Sequence, residues 1–132
     1  MQICLALKHI HNLKIIHRNI KPSNIFLMKQ NTDNFAKLGD FGLAKELNQS
    51  FPYTKTNVAT PQYADPEILK GEKYSFKSDI WSLGVTFYQL IIFDFPFEGK
   101  TIAEMQTNIL EGKIKKIPEN YKIDHEFLEL IN

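Results

Sequence analysis

The longest apolar stretch of the chain, Ile80 to Phe93, constrains the fold more than any other feature. It is too short to span a bilayer, and small or polar residues interrupt it: Ser82, Gly84, Thr86 and Gln89. The stretch therefore predicts a helix buried in the core of a folded domain. We expect this helix to begin at Ser75 or Ser78 and to end near Ile92.

Other helical patterns lie on either side of this core helix. Near the start, apolar residues recur at helical spacing: Ile3, Ala6, Leu7, Ile10 and Leu13. Thr101 and Glu104 fit a capping box for a later helix, and Gly112 fits its end. A last pattern opens at Asp124 and stops with the chain. Because the first pattern has no cap before Met1 and the last is barely formed, we expect this chain to be a piece of a longer protein.

Two short strand patterns, Ile25–Met28 and Phe35–Leu38, lie between the first helix and the core helix. The polar segment Lys29–Asn34 between them predicts a β-hairpin with a long loop. The segment Gly42–Tyr63 is rich in polar residues and proline and lacks any apolar period, which predicts a long structureless connection. The expected fold class is therefore mainly α (α+β), helical with one small hairpin.

Composition excludes several classes of function. The 132 residues include 16 basic and 15 acidic ones, and a net charge of +1 gives no electrostatic case for a nucleic-acid or membrane partner. Cys4 is the only cysteine, so no disulfide framework can form within the chain. With no signal-peptide pattern, we expect a cytoplasmic, intracellular protein, and nuclear or cytoskeletal association stays open.

Polar residues cluster at the base of the predicted hairpin. The segment His17–Asn24 precedes the first strand, and Asp40–Gly42 follows the second. The hairpin would bring Asn24 and Asp40 together, and their amide and carboxylate oxygens suit Mg²⁺. Lys21 can supply a positive charge for a phosphate. The sequence therefore predicts a magnesium and phosphate site at the base of the hairpin.

These segments resemble those of the protein-kinase family. The run IHRNIKPSNIFL resembles the kinase catalytic loop, GDFGLAK the metal-binding segment and ADPEIL the end of the activation segment. The run KSDIWSLGVTFYQL resembles the helix that anchors the large kinase lobe. All four occur in the family's order over nearly the whole chain, and the overall pattern is closest to the NIMA-related serine/threonine kinases.

The resemblance implies a fold and a set of ligands. Residues 1–132 would form a partial protein kinase domain, namely the large lobe from the helix before the catalytic loop to the helix after Gly112. One small hairpin would carry the catalytic and metal-binding loops. The small N-terminal lobe would be absent, and the domain would be truncated at both ends. ATP and Mg²⁺ would be the cofactors, and a protein would be the substrate or partner.

The resemblance also implies roles for particular residues. Asp40 would hold Mg²⁺ on the ATP phosphates, Asn24 would hold a second ion, and Lys21 would steady the transferred phosphoryl group. Three residues would tie the two loops to the core helix: His17, Phe41 and Asp79. The adenine ring would lie on the first strand, at Ile25, Phe26 and Leu27.

Regulation is implied at the one arginine of the chain. Thr56 lies where the family is often phosphorylated, and Arg18 would receive that phosphate through a bidentate pair. Glu67 would pair with an arginine further along than this chain extends. The histidines near the start do not predict a metal site, because His9 and His11 would face different sides of a helix.

The chain departs from the family pattern at the position of the catalytic base. Asn19 stands where the family has aspartate, and an amide can orient a hydroxyl but cannot take its proton. Loss of a general base typically costs about 10²–10⁴ in rate. Ala59 replaces a glycine, and Asp65 adds a charge near the predicted substrate platform.

The leading interpretation is a serine/threonine kinase, whose ancestral reaction transfers the ATP γ-phosphate to protein hydroxyls. A catalytically impaired pseudokinase or scaffold module, and an incomplete gene model, remain as alternatives.

Overall fold

The structure is a computed structural model that describes residues 2–47 and 60–117 of the chain. Its α-helices are α1 Gln2–Asn12, α2 Pro66–Leu69, α3 Phe76–Ile92 and α4 Ile102–Leu110. Its strands are β1 Ile15–Ile16, β2 Ile25–Gln30, β3 Asp33–Leu38 and β4 Lys45–Glu46. Within these two ranges, three short 3₁₀ helices lie at Pro22–Asn24, Phe41–Leu43 and Pro61–Tyr63. No helix of the described residues is both long enough and apolar enough to cross a membrane.

Helix α3 is the buried core helix that its sequence predicts. Ser75 caps its N-terminus in a reciprocal capping box with Ser78, so Ser75 is confirmed of the two predicted starts. The helix ends at Ile92, where Phe93 takes a left-handed backbone conformation with φ 58°. Its apolar face lies in the main core, where buried Leu83 packs with residues of α1 and the segment after it: Ile3, Leu7, Ile10 and Ile20.

The hairpin formed by β2 and β3 is longer and tighter than the sequence predicts. Its strands pair antiparallel from Ile25 opposite Leu38 to Gln30 opposite Asp33, which leaves only two residues in the turn. The expected long loop is therefore wrong. Asn31 turns the chain with φ 57°, a left-handed conformation that asparagine tolerates. Most of β2 is exposed to solvent, so its polar end can stay in the strand without an apolar pattern.

Helix α1 packs against the hairpin and completes one edge of it. The Gln2 side chain reaches the outer edge of β3, where its oxygen accepts a hydrogen bond from the Ala36 backbone N–H at 2.5 Å. The Gln2 side-chain nitrogen donates to the Asn34 carbonyl at 3.2 Å. The two bonds fix the start of α1 to the hairpin.

The segment predicted to be structureless contains regular structure where it is described. Strand β4 pairs antiparallel with β1, Ile15 opposite Glu46, and buried Leu47 packs with Ile16 and Tyr74. The expectation of a structureless connection is therefore wrong for these parts, and the pairing of β1 with β4 adds a second two-stranded sheet beside the predicted hairpin. Strands of two residues are too short to show any periodicity. The rest of this segment, with Ala59, lies outside the described residues.

Helix α4 begins and ends as its sequence predicts. The Thr101 hydroxyl accepts a hydrogen bond from the Glu104 backbone N–H at 3.1 Å. The Glu104 carboxylate accepts from the Lys100 N–H at 2.7 Å, one residue before the partner that a capping box would use. Gly112 follows the helix with φ 66°, a conformation that suits glycine. The helical pattern at Asp124 lies outside the described residues.

Candidate active site

A buried carboxylate on the first turn of α3 fixes the loop that precedes β2. The Asp79 side chain is only 1% exposed. Its two oxygens accept hydrogen bonds from the backbone N–H groups of His17 and Arg18, both at 2.9 Å. The His11 ring nitrogen lies 2.8 Å from the same carboxylate. These partners compensate the cost of burying the charge and hold Arg18 in a left-handed conformation, φ 66°.

His17 links this loop to the segment after β3. Its Nδ1 accepts a hydrogen bond from the Asn19 backbone N–H at 3.3 Å, so its Nε2 donates to the Gly39 carbonyl at 3.0 Å. Burial lowers the pKa of the imidazole, which favours this neutral tautomer. The ring meets Phe41 edge to face, with centroids 4.8 Å apart. The structure thus brings together His17, Phe41 and Asp79, the three residues expected to connect the loops.

Asp40 lies at the exposed end of this assembly, directly after β3. Its backbone is left-handed, with φ 59°. One carboxylate oxygen accepts from the Gly42 N–H at 3.4 Å, and the other accepts from the Asn19 side-chain nitrogen at 2.9 Å. The residue at the catalytic-base position therefore contacts the residue expected to bind metal.

Asn24 lies on the other side of Asn19 and is only 6% exposed. Its side-chain nitrogen donates to the Asn19 backbone carbonyl at 2.7 Å, and the Asn24 backbone carbonyl accepts from the Gly39 N–H at 2.9 Å. Asn19, Asn24 and Asp40 thus form one connected set. Because its amide nitrogen is already paired, the Asn24 side-chain oxygen is the atom that remains for a ligand.

The chemistry of this set fits a hard dication. Mg²⁺ binds few protein oxygens and keeps the rest of its shell for water and phosphate, which an exposed carboxylate with one amide oxygen allows. No group of three or more His, Cys, Asp or Glu residues forms a metal site within 2–47 and 60–117. Within the connected set, Asp40 and Asn24 carry the oxygens that are expected to hold the ion.

The remaining residues assigned to ATP lie on the loop and on β2. Lys21 is half-buried and directly precedes the 3₁₀ helix that carries Asn24. Along β2, Ile25 is half-buried, Phe26 is exposed and Leu27 is 82% exposed. The apolar side chains expected beneath an adenine ring are therefore open to a ligand or to another protein surface.

The residues with predicted regulatory and structural roles are placed in part. The Arg18 guanidinium donates through Nε to the Leu43 carbonyl at 2.6 Å, which holds it beside the segment after Asp40. Thr56 lies outside the described residues. Glu67 is exposed on α2, and the salt bridges among the residues described do not include it.

The protein kinase domain matches residues 1–132, the whole of the sequence. The chain belongs to the protein kinase domain family. It is 42% identical to the serine/threonine-protein kinase Nek1 of Mus musculus over 124 residues, 94% of this chain. It is 44% identical to Nek5 of Homo sapiens over 92% of this chain, and 43% identical to human Nek2 over 98%. The similarity to NIMA-related kinases is thereby confirmed.

These relatives are much longer than the kinase segment that they share with this chain. The chain spans 10% of mouse Nek1, 17% of human Nek5 and 29% of human Nek2. All three are named serine/threonine-protein kinases, so the chain is a serine/threonine kinase family member and the pseudokinase alternative is not favoured. ATP, Mg²⁺ and a protein substrate are what membership of this family implies.

Two residues of this kinase domain make contacts that the sequence does not predict. His11 is one of them, because the sequence indicates only that it is not a metal ligand, whereas the structure places it against Asp79 and 4.7 Å from the Phe76 ring. Its spacing was informative, because His11 lies one turn after the buried Leu7 on the same helix face.

Asp65 is the second such residue, because the sequence gives only its charge and its position. It is 4% exposed and caps α2, accepting a hydrogen bond from the Ile68 N–H at 2.8 Å. Burial raises its pKa, against a hydrogen bond from Ser78 that acts the other way. The pKa of the buried Tyr74 is raised to about 12, first by burial and then by the charges of Asp65 and Asp79.

Proposed function

We propose that this chain is the large lobe of a serine/threonine kinase and carries the metal-binding and hydroxyl-orienting part of its phosphoryl-transfer site. The observation that supports the proposal is the connected set of Asn19, Asn24 and Asp40 at the base of one hairpin. The buried contacts of Asp79 and His17 hold that set on the core helix α3. The partner class is a protein with a serine or threonine hydroxyl, inside the cell, where the single Cys4 would stay reduced.

Each residue of the set would have a distinct task. Asp40 and Asn24 would hold Mg²⁺, which when bound neutralises phosphate charge. Lys21 would contact the transferred phosphoryl group as a point charge. Asn19 would accept a hydrogen bond from the substrate hydroxyl through its side-chain oxygen, because its side-chain N–H group already donates to Asp40. Since that amide cannot take the proton, we expect transfer to be slower by about 10²–10⁴ than with aspartate.

Two residues would act outside the chemical step. Arg18 would receive a phosphate on Thr56. Its hydrogen bond to the Leu43 carbonyl would connect that phosphate to the segment after Asp40. Glu67, exposed on α2, would have a structural role as the partner of an arginine other than Arg18.

Thermal unfolding tests the metal and nucleotide site directly. At Mg-ATP about ten times above Kd, we expect Tm to rise by about 2–5 °C, because a ligand that binds only the folded state stabilises it. Neither ATP with EDTA nor Mg²⁺ alone should produce the full rise. Asp40→Asn should abolish it, and asparagine tolerates the left-handed backbone at this position.

Asp33→Asn is the matched control, since it removes an exposed carboxylate from the same hairpin. It should keep the full rise with Mg-ATP. A rise of equal size in Asp40→Asn and in the unmodified chain would reject the proposed site.

A further inference from the structure

The orientation of the Asn19 side chain is fixed by chemistry. Its nitrogen lies 2.9 Å from an oxygen of the Asp40 carboxylate. A carboxylate only accepts hydrogen bonds, so the amide nitrogen must face it and the amide oxygen must point elsewhere. The backbone of Asn19 is held as well, through its N–H to His17 and its carbonyl to Asn24. Asn19 therefore presents a donor to Asp40 from an anchored position.

Asp40 has little else to hold its carboxylate in place. It is exposed and has a left-handed backbone. Its other described hydrogen bond, from the Gly42 N–H, is 3.4 Å long, at the weak end of the accepted range. Of the two hydrogen bonds that the described residues make to this carboxylate, the one from the Asn19 amide is thus the shorter.

An aspartate at position 19 would change the sign of this contact. It would place a second carboxylate at the distance where the amide now donates, and two negative charges so close repel each other. A dication between the two groups would relieve the repulsion. With asparagine the contact is attractive in the absence of any ion.

We propose that Asn19 is a positioning residue that holds Asp40 in its ligand-binding conformation without a dication. The proposal rests on the proposed function in one respect, namely that Asp40 in this conformation binds magnesium. The contact itself does not depend on metal, so the two ideas can be tested separately.

Thermal unfolding of the full 132-residue chain in EDTA tests the contact without metal. We expect Asn19→Asp to lower Tm by about 3 °C or more, and Asn19→Ala to lower it by less, because alanine loses the bond without adding a charge. Asn31→Asp is the matched control, since it makes the same change at an exposed residue whose left-handed backbone aspartate tolerates as asparagine does. It should leave Tm within about 1 °C of the unmodified chain. An Asn19→Asp chain at least as stable as the unmodified one, or an equal loss in Asn31→Asp, would overturn the proposal.

Adding Mg²⁺ separates this proposal from the metal site. Mg²⁺ should restore most of the Tm that Asn19→Asp loses, and should raise the Tm of Asn19→Ala by less, because that variant has no second carboxylate facing Asp40. KCl at the same ionic strength should restore less, because screening is not binding. If Tm falls in EDTA but Mg²⁺ restores none of it, the positioning role stands and the magnesium site under Proposed function fails.

Nuclear magnetic resonance gives a second measurement that does not depend on stability. The side-chain amide protons of Asn19 should resonate downfield while they are bonded to a charged carboxylate. Asp40→Asn should move one of these signals upfield, and Asp33→Asn should leave both in place. Asn19 amide signals that do not respond to Asp40→Asn would overturn the proposal.

Discussion

Asp79 and Asp40 are two aspartates of the same assembly with opposite surroundings. Asp79 is 1% exposed and accepts hydrogen bonds from two backbone N–H groups, with the His11 ring nitrogen beside it. Asp40 is exposed and accepts one short hydrogen bond from the Asn19 side chain and one long one from a backbone N–H. The first carboxylate is satisfied within the fold, whereas the second retains capacity for a ligand.

The two surroundings distinguish a carboxylate that stabilises the fold from one that remains open to a ligand. A buried charge with a full set of donors stabilises the loops around it, because removal leaves those donors without partners. An exposed charge with few partners contributes little to stability and can exchange water for a ligand. Substitutions at the two kinds of site should therefore differ mainly in their effect on unfolding.

The largest effect is expected for Asp79→Ala. It removes the acceptor for the buried His17 N–H and for Arg18 N–H, so we expect the free energy of unfolding to fall by about 3 kcal/mol or more. Urea unfolding followed by the fluorescence of Trp81, the only tryptophan, measures this change. Asp40→Asn should cost less than about 1 kcal/mol in the same assay. Similar losses in the free energy of unfolding for Asp79→Ala and Asp40→Asn would contradict the difference between the two sites.

A smaller and pH-dependent effect is expected at the buried Asp65. Burial raises its pKa in the folded chain, so its protonated form favours folding. The stability it contributes is complete below the ordinary aspartate pKa of 3.8, and is lost as pH rises through the raised value. Asp65→Asn keeps a capping oxygen but never ionises, so its stability relative to the unmodified chain should increase between about pH 3.5 and 7.

Asp65→Ala serves as the control for the cap, because it cannot ionise either. It should be less stable than Asp65→Asn by about 1 kcal/mol at every pH. Urea unfolding at a series of pH values measures both differences. A constant difference between Asp65→Asn and the unmodified chain across this range would contradict the effect of burial.

The smallest effect is expected where the ion pairs are exposed. The Lys115 ammonium contacts Asp94 at 2.6 Å and also Glu98, and these contacts raise its pKa. Lys115→Met keeps the aliphatic stem and removes the charge, so Tm should fall by less than in the two cases above. The fall should disappear at high salt, since salt screens exposed pairs. A fall in Tm that persists at high salt would contradict this, because it would show that the Lys115 ion pairs are not screened as exposed pairs are.

The sequence predicts the elements whose signal is local. Apolar periodicity and the serine at position 75 place α3 correctly, and Thr101 with Gly112 places α4. The hairpin follows from its two apolar patterns, although the polar residues at its tip conceal how far the strands continue. Strands β1 and β4 leave no trace, because each is two residues long and they lie far apart in the chain.

The candidate site was predictable as a set of residues but not as a network. Motif order and the hairpin place Asn24 and Asp40 together, and both in fact bond to Asn19. The amide contact itself depends on side-chain orientation, which no spacing encodes. The burial of Asp65 and the approach of His11 to Asp79 likewise arise from tertiary packing.

The reach of Gln2 across β3 has a consequence for how this chain behaves in concentrated solution. An exposed strand edge with free N–H and carbonyl groups is a template on which another molecule can add a strand. The Gln2 amide occupies the Ala36 N–H and the Asn34 carbonyl on that edge, as the backbone of a neighbouring strand would. One glutamine therefore protects the hairpin from self-association, and a chain that lost it would be more prone to aggregate.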